Sequence, residues 1–257
     1  MFNYSRNRSE VTDLGGIDYT LTERNGVFIQ AREGGSISAI YGRGFKRVDD
    51  PNSEYFGQKI VNNSGIPVRT DGLEYQGDYA PDYTLGILNS FKYKSLDFGF
   101  MFDIRQGGIV VSRTKTIGST SGQLKETLEG RETGIVAEGV LETSPGVYTP
   151  NTINVDVRTY NNRYYERDNV EAAKYDASYT KLREVTLGYS LSKKIIDKLP
   201  ISKARLSLTG RNLVLWTDNP HFDPETVSVA GGTLQPGIEN MSYPSTKTYT
   251  LNLQIDF

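Results

Sequence analysis

One histidine and no cysteine leave this chain few ways to build a reactive centre. Without cysteine there is no disulfide and no thiolate metal site. His221 stands in "TDNPHFDPE" (217–225), beside Asp218, Asp223 and Glu225. A hydrolase or zinc site needs more convergent ligands than this. The carboxylates suggest calcium, but the stretch lacks the alternating oxygens and central glycine of an EF-hand loop. Two prolines, Pro220 and Pro224, fit a structured loop, so His221 is expected as a loop residue, with ligand contact as its sharper role. "GRGFKR" (42–47) and "GQLKETLEGRETG" (122–134) follow neither the P-loop nor the dinucleotide spacing. No two carboxylates have a separation that can be argued from sequence. The chain is therefore read as a non-enzyme with no metal and no cofactor.

Binding residues are easier to find. "RTYNNRYYERD" (158–168) gathers Tyr160, Tyr164 and Tyr165 with Arg158, Arg163 and Arg167. Tyrosine and arginine dominate binding hot spots. A solvated loop is the plain reading of this stretch, and a surface meeting a partner or a substrate is the sharp one. Trp216 has two uses, as an anchor at a membrane interface or as a flat platform for a sugar.

The elements that must carry these residues repeat with period two. In "YTLGILNSFKY" (83–93), Tyr83, Leu85, Ile87, Phe91 and Tyr93 share a face, interrupted by Asn89. In "LDFGFMFDI" (96–104), Leu96, Phe98, Phe100, Phe102 and Ile104 share one. A "KS" connection makes the two a tight hairpin. "LREVTLGYSL" (182–191) places Val185, Leu187, Tyr189 and Leu191 together, and "ARLSLTGRNLVLW" (204–216) does so with Leu206 and Leu208. "SKKIIDKLPIS" between them has room for one helical turn. The last ten residues, "TYTLNLQIDF", alternate without a break: Tyr249, Leu251, Leu253, Ile255 and Phe257 against five polar residues. "FNYSRNRSEV" (2–11), "GVFIQ" (26–30) and "SISAIYGRGFKRV" (36–48) are weaker strand candidates, for about seven strands in all. Connections alternate between short ones, around Lys94 and 193–200, and long ones, roughly 49–81, 108–176 and 217–245. That asymmetry is a property of outer-membrane barrels, with short periplasmic turns and long extracellular loops.

Composition permits this and excludes other classes. The 257 residues are 37% hydrophobic and 11% aromatic, with 17 Tyr and 26 Gly; mean hydropathy is -0.48. Few aliphatics with many Tyr and Gly favour strands and turns over helical packing. A net charge of -2 gives no field to attract nucleic acid. No apolar run reaches the roughly 18 residues of a spanning helix, which leaves a spanning barrel open. The amino-terminal "MFNYSRNRSEV" has no apolar signal region, and the chain is read as a piece of something longer. On pattern alone a transmembrane barrel and a soluble, glycan-binding β-sandwich both fit.

The ordered strand sequences separate them. "YDASYTKLREVTLGYSLSKKIIDKL" (175–199), "ISKARLSLTGRNLVLWT" (201–217), "FDPE" (222–225) and "YPSTKTYTLNLQIDF" (243–257) resemble the carboxy-terminal end of the SusC/RagA family, the TonB-linked transporters of the Bacteroidetes outer membrane. "IYGRGFKRV" (40–48) and "GDYAPDYTLGILNSFKYKSLDFGFMFDIRQGG" (77–108) resemble the family's preceding segments, in the same order. The resemblance implies an all-β fold: antiparallel up-and-down strands forming the last third of a large transmembrane β-barrel with long extracellular loops. Residues 1–257 would be this barrel portion, with plug and TonB-contacting segment absent. It implies an importer of oligosaccharides, or secondarily peptides, that works with a SusD-like surface lipoprotein, with TonB through the missing amino-terminal part, and in outer-membrane lipid. The terminal strand through Phe257 would close the barrel. The long loops would face out, bringing Arg158, Tyr160, Arg163, Tyr164, Tyr165, Trp216 and His221 toward cargo or partner.

Overall fold

The computed structural model describes residues 1–257 apart from Leu199 and Gly231. Six strands form one antiparallel wall: β1 (Phe2–Ser5), β2 (Tyr83–Tyr93), β3 (Leu96–Gln106), β4 (Tyr179–Ser190), β5 (Lys203–Trp216) and β6 (Thr248–Asp256). Each pairs with the next in the chain, so the wall is an up-and-down meander with β1 and β6 at its edges. Pattern reading counts about seven strands; the difference lies in the amino-terminal candidates. Of 2–11 only Phe2–Ser5 joins the wall. Strands Val27–Ala31 and Ala39–Gly42 instead pair with Tyr19–Arg24 and Glu74–Asp78 in a separate four-stranded sheet.

The β2–β3 hairpin closes through Lys94 and Ser95, with Tyr93 opposite Leu96 and Lys94 at a φ of 53°. The expected helical turn between β4 and β5 is Lys193–Ile196; Leu199 of the same connection lies outside the described residues.

The register turns the sequence alternation into two chemically opposite faces. On one, Phe91, Phe98, Leu187, Leu208 and Leu251 are direct cross-strand partners in a row across five strands. Tyr93, Leu96, Tyr189, Leu206 and Leu253 form the next row. These ten side chains are 40–71% exposed, with no layer packed over them among the described residues. A sandwich must cover such a face; a barrel wall presents it to lipid.

The other face is charged and internally paired. Arg205 reaches Asp97 at 2.5 Å across Gly188, where any Cβ would collide with both side chains. Arg211 meets Glu184 at 2.9 Å. Between Leu182 and Glu184 the register slips against both neighbours: Leu182 pairs with Phe102 and Glu184 with Met101 of β3, leaving Arg183 as the inserted residue on that side. Such a bulge re-aims side chains locally. It leaves Lys181 directed to the same charged side as Glu184.

All three long excursions leave the wall at one end, since Ser5, Tyr83, Gln106, Tyr179, Trp216 and Thr248 lie there in register. They fold into one outward layer. Val27, Ile29 and Ile40 from the first excursion, Val111, Val170 and Ala173 from the second and Ile238 from the third form a single buried cluster. A small sheet joins Ile109–Ser112 to Lys174–Asp176 and Ile238–Glu239, tying the second excursion to the third. At Gly42 a Cβ would overlap the Val170 side chain, so only glycine lets the first excursion close against the second.

Candidate functional site

The outward layer is held to the wall by "FDPE". Lys181 of β4 donates to Asp223 Oδ2 at 2.6 Å and to Glu225 Oε2 at 2.5 Å. Arg183 donates from Nη1 to Glu225 Oε2 at 2.7 Å and from Nε to Asp103 Oδ2 at 2.9 Å. The Lys181 and Asp223 side chains are 4% and 5% exposed. Burial works against the Glu225 charge, but hydrogen bonds from Arg183 and Lys181 outweigh it and hold the carboxyl at about 2. Asp223 also folds its own turn, accepting from the Glu225 N–H at 3.0 Å. Two of the three carboxylates that suggested calcium, Asp223 and Glu225, are thus bound to wall cations.

"RTYNNRYYERD" is helical for most of its length. Helix α2 (Val157–Tyr164) starts at Asp156, whose carboxylate accepts from the Thr159 N–H at 2.9 Å. The i,i+4 spacing stacks Tyr160 on Tyr164 with centroids 5.2 Å apart. The tyrosines are half-buried, while Arg158, Arg163 and Arg167 are exposed. The Tyr164 hydroxyl accepts from Lys59 Nζ at 2.8 Å, and its ring lies 4.7 Å from Phe45. Tyr165 packs edge-on to Tyr164 at 4.9 Å, beneath the Lys115 ammonium at 4.9 Å. Burial pushes the Tyr160 and Tyr165 hydroxyls well above their ordinary range, so both are donors at any physiological pH.

Lys115 belongs to α1 (Arg113–Thr120), which Ser112 caps by accepting from the Lys115 N–H at 3.0 Å. Burial pulls its ammonium down to about 8. It contacts Glu126, whose other oxygen lies 3.7 Å from His221 Nε2. Burial, then the charge on Lys115, lowers the His221 pKa, so the ring is neutral at pH 7 and makes no ion pair with Glu126.

These groups surround a cavity of about 330 Å³ lined by Lys59, Lys115, Glu126, Glu138, Tyr160, Tyr164 and Tyr165. A second, of about 530 Å³, lies between Glu126, Glu129, Pro220 and His221, so Glu126 borders both. Aromatic rings flanked by ammonium and carboxylate groups suit a polar organic ligand held by stacking and hydrogen bonds. The structure brings the three tyrosines together and reaches His221 through Glu126. It leaves Arg158 and Arg163 on the solvent side of α2. Trp216 stands apart at the end of β5, half-exposed on the apolar face and 6.3 Å from Phe102. Tyr249, Leu251, Leu253 and Ile255 all lie on that face of β6, with Phe257 one residue past its end. Lys59, Lys115, Glu126 and Glu138 escaped sequence reading. They come from separate stretches that only the folded layer joins, and no spacing marks them.

A one-sheet meander with an apolar face, a charged face and all long excursions at one end is part of the wall of a large up-and-down barrel. The comparisons agree. TonB-dependent receptor P3 of Formosa agariphila is 27% identical over 282 residues, covering 100% of this chain and 26% of that protein. TonB-dependent receptor P26 of the same species is 30% identical over 205 residues, 76% of this chain and 19% of the relative. The structure of the RagAB peptide transporter matches 100% of this chain and 27% of its own, with TM-score 0.62 at 20% identity. Its "open-open" importer state gives 0.62 at 18%, again over the whole of this chain. No protein-family model matches the chain. The chain spans about a quarter of the first curated relative that it matches. Along its whole length it is similar to part of a TonB-dependent receptor, and its fold is that of the RagA-type barrel wall.

Proposed function

We propose that this chain supplies wall strands and part of the extracellular layer of an active outer-membrane importer. The observation that carries the reading is the two-faced wall: rows of exposed apolar side chains on one side, ion pairs on the other, and three long excursions gathered at one end. In this reading residues 1–257 are one barrel portion, and the apolar face meets outer-membrane lipid. The free edge of β6 pairs with a further strand to close the barrel, and Phe257 sits in the interfacial belt with Trp216 at the opposite rim. TonB acts on another part of the protein. A SusD-like lipoprotein covers the outward layer, where Arg158, Arg163 and the tyrosine cavity meet cargo or partner. The cargo is an oligosaccharide; likeness to the RagAB peptide transporter supports a peptide as the second reading. The segment binds and conducts and makes no bond.

Uptake tests this directly. Cells carrying the intact transporter should accumulate labelled oligosaccharide or peptide, and should stop when TonB is deleted. Accumulation that ignores TonB would refute active import.

A further inference from the structure

Arg113 opens α1 and is 2% exposed, yet no acidic side chain pairs with it among the described residues. Its guanidinium makes one hydrogen bond there, from Nη1 to the Arg167 carbonyl oxygen at 3.1 Å, and its Nε is buried without a partner. The nearby carboxylates are engaged elsewhere. Glu239, fully buried, accepts from Ser112 Oγ at 2.8 Å, Thr114 Oγ1 at 2.6 Å and the Ser242 N–H at 3.1 Å. Glu166 pairs with Arg69 at 3.0 Å and Arg163 at 3.9 Å. A buried cation held without a counter-charge is unfavourable unless something else supplies one.

The surroundings show where that charge can come from. A cavity of about 470 Å³ lies between α1 and α2, lined by Arg113, Thr116, Thr120, Asn162, Tyr165 and Arg167, with Glu166 at its border. Arg167 is exposed and in no ion pair among the described residues. Two arginines border one cavity, and the guanidinium group is the planar, multi-donor fork that recognises carboxylate and sulfate groups. Tyr165 borders both this cavity and the tyrosine cavity, which makes the two neighbours in one layer.

We propose that the α1–α2 cavity is an anion subsite, in which Arg113 and Arg167 bind a carboxylate or sulfate group. Through Tyr165 an acidic ligand bound there would have its neighbouring ring within reach of the aromatic cluster. The proposal rests on the importer reading only for the meaning of the ligand as cargo; anion binding itself needs no import.

The test is equilibrium calorimetry on the intact transporter in detergent, with sodium glucuronate, sodium sulfate and glucose as probes. Both anions, or either one, should bind, more weakly at high salt, and glucose should not bind at this subsite. Glucuronate binding alone identifies an acidic sugar as the source; sulfate binding alone identifies an inorganic anion. Arg167→Gln should weaken anion binding by about tenfold or more, and Arg167→Lys by less, since lysine keeps the charge but loses the fork. Arg167 is exposed, so these variants should fold, and unchanged heat-modifiable gel migration checks that they do. Anion affinity unchanged in Arg167→Gln, or no anion binding by the wild type, overturns the proposal. Absence of TonB-dependent uptake by the wild type, with anion binding intact, would count against the importer reading and leave the subsite standing.

Discussion

Replacing Lys181 with methionine should unfasten the third excursion from the wall. The methionine has similar length and no charge, and it leaves Asp223 buried with its cation gone, whereas Glu225 keeps Arg183. Removing one partner of a buried pair costs about 3–5 kcal/mol, mostly through the stranded charge. That corresponds to a rise of roughly 10²–10⁴-fold in the open population of the 217–247 excursion. Hydrogen exchange and limited proteolysis of the intact transporter would read it as loss of protection confined to that excursion, with β4 and β5 unaffected. The companion Lys181→Met/Asp223→Leu removes both charges and should recover most of the protection, because an apolar replacement of a whole buried pair is close to neutral. The reasoning is refuted if the single variant stays as protected as wild type, or if the double variant loses as much as the two singles combined.

Four further outcomes follow from the same structure. Glu225 has its carboxyl depressed from 4.5 to about 2, so its contribution is present above pH 4.5 and lost as pH falls toward 2; proteolytic nicking of the excursion should rise across that window. Leu208→Arg places a charge in the middle of the apolar rows and should cost about 2–4 kcal/mol of barrel stability in lipid, measured by urea titration in vesicles. Gly188→Val should block wall assembly, read as loss of the heat-modifiable folded band, because its side chain would occupy the space of the Asp97–Arg205 pair. Tyr164→Phe removes the acceptor of Lys59 and should lower the melting temperature by an amount matching about 1 kcal/mol, with the ring stacking retained.

The wall was legible because its signal is long. Strands β2 to β6 run for 9 to 14 residues, so period-two alternation shows on each, and the short KS turn fixes the first register. The outward layer was not legible as a folded body. Its pieces are short, such as Ile109–Ser112 and Ile238–Glu239, and they find partners more than 60 residues away. The same distance hides Lys59 from Tyr164 and Lys115 from His221. The bulge at Arg183 shows why local alternation alone misplaces a lumen charge: a single inserted residue changes which of Lys181 and Leu182 faces the ion pairs. The tyrosines were visible as a cluster, but their helical phase separates them from the arginines, and sequence order alone cannot show that separation.

The central claim is that the wall has one face in lipid and one in water. Single-cysteine scanning of β5 and β6 tests it most directly, since the chain has no native cysteine. In intact outer membranes, cysteines at Leu206, Leu208, Leu251 and Leu253 should resist a water-soluble maleimide and report lipid-phase quenchers. Cysteines at Arg205, Asn252 and Gln254 should behave in the opposite way. Equal labelling of both sets, or a leucine face shielded from lipid as well as from water, would contradict the barrel-wall account.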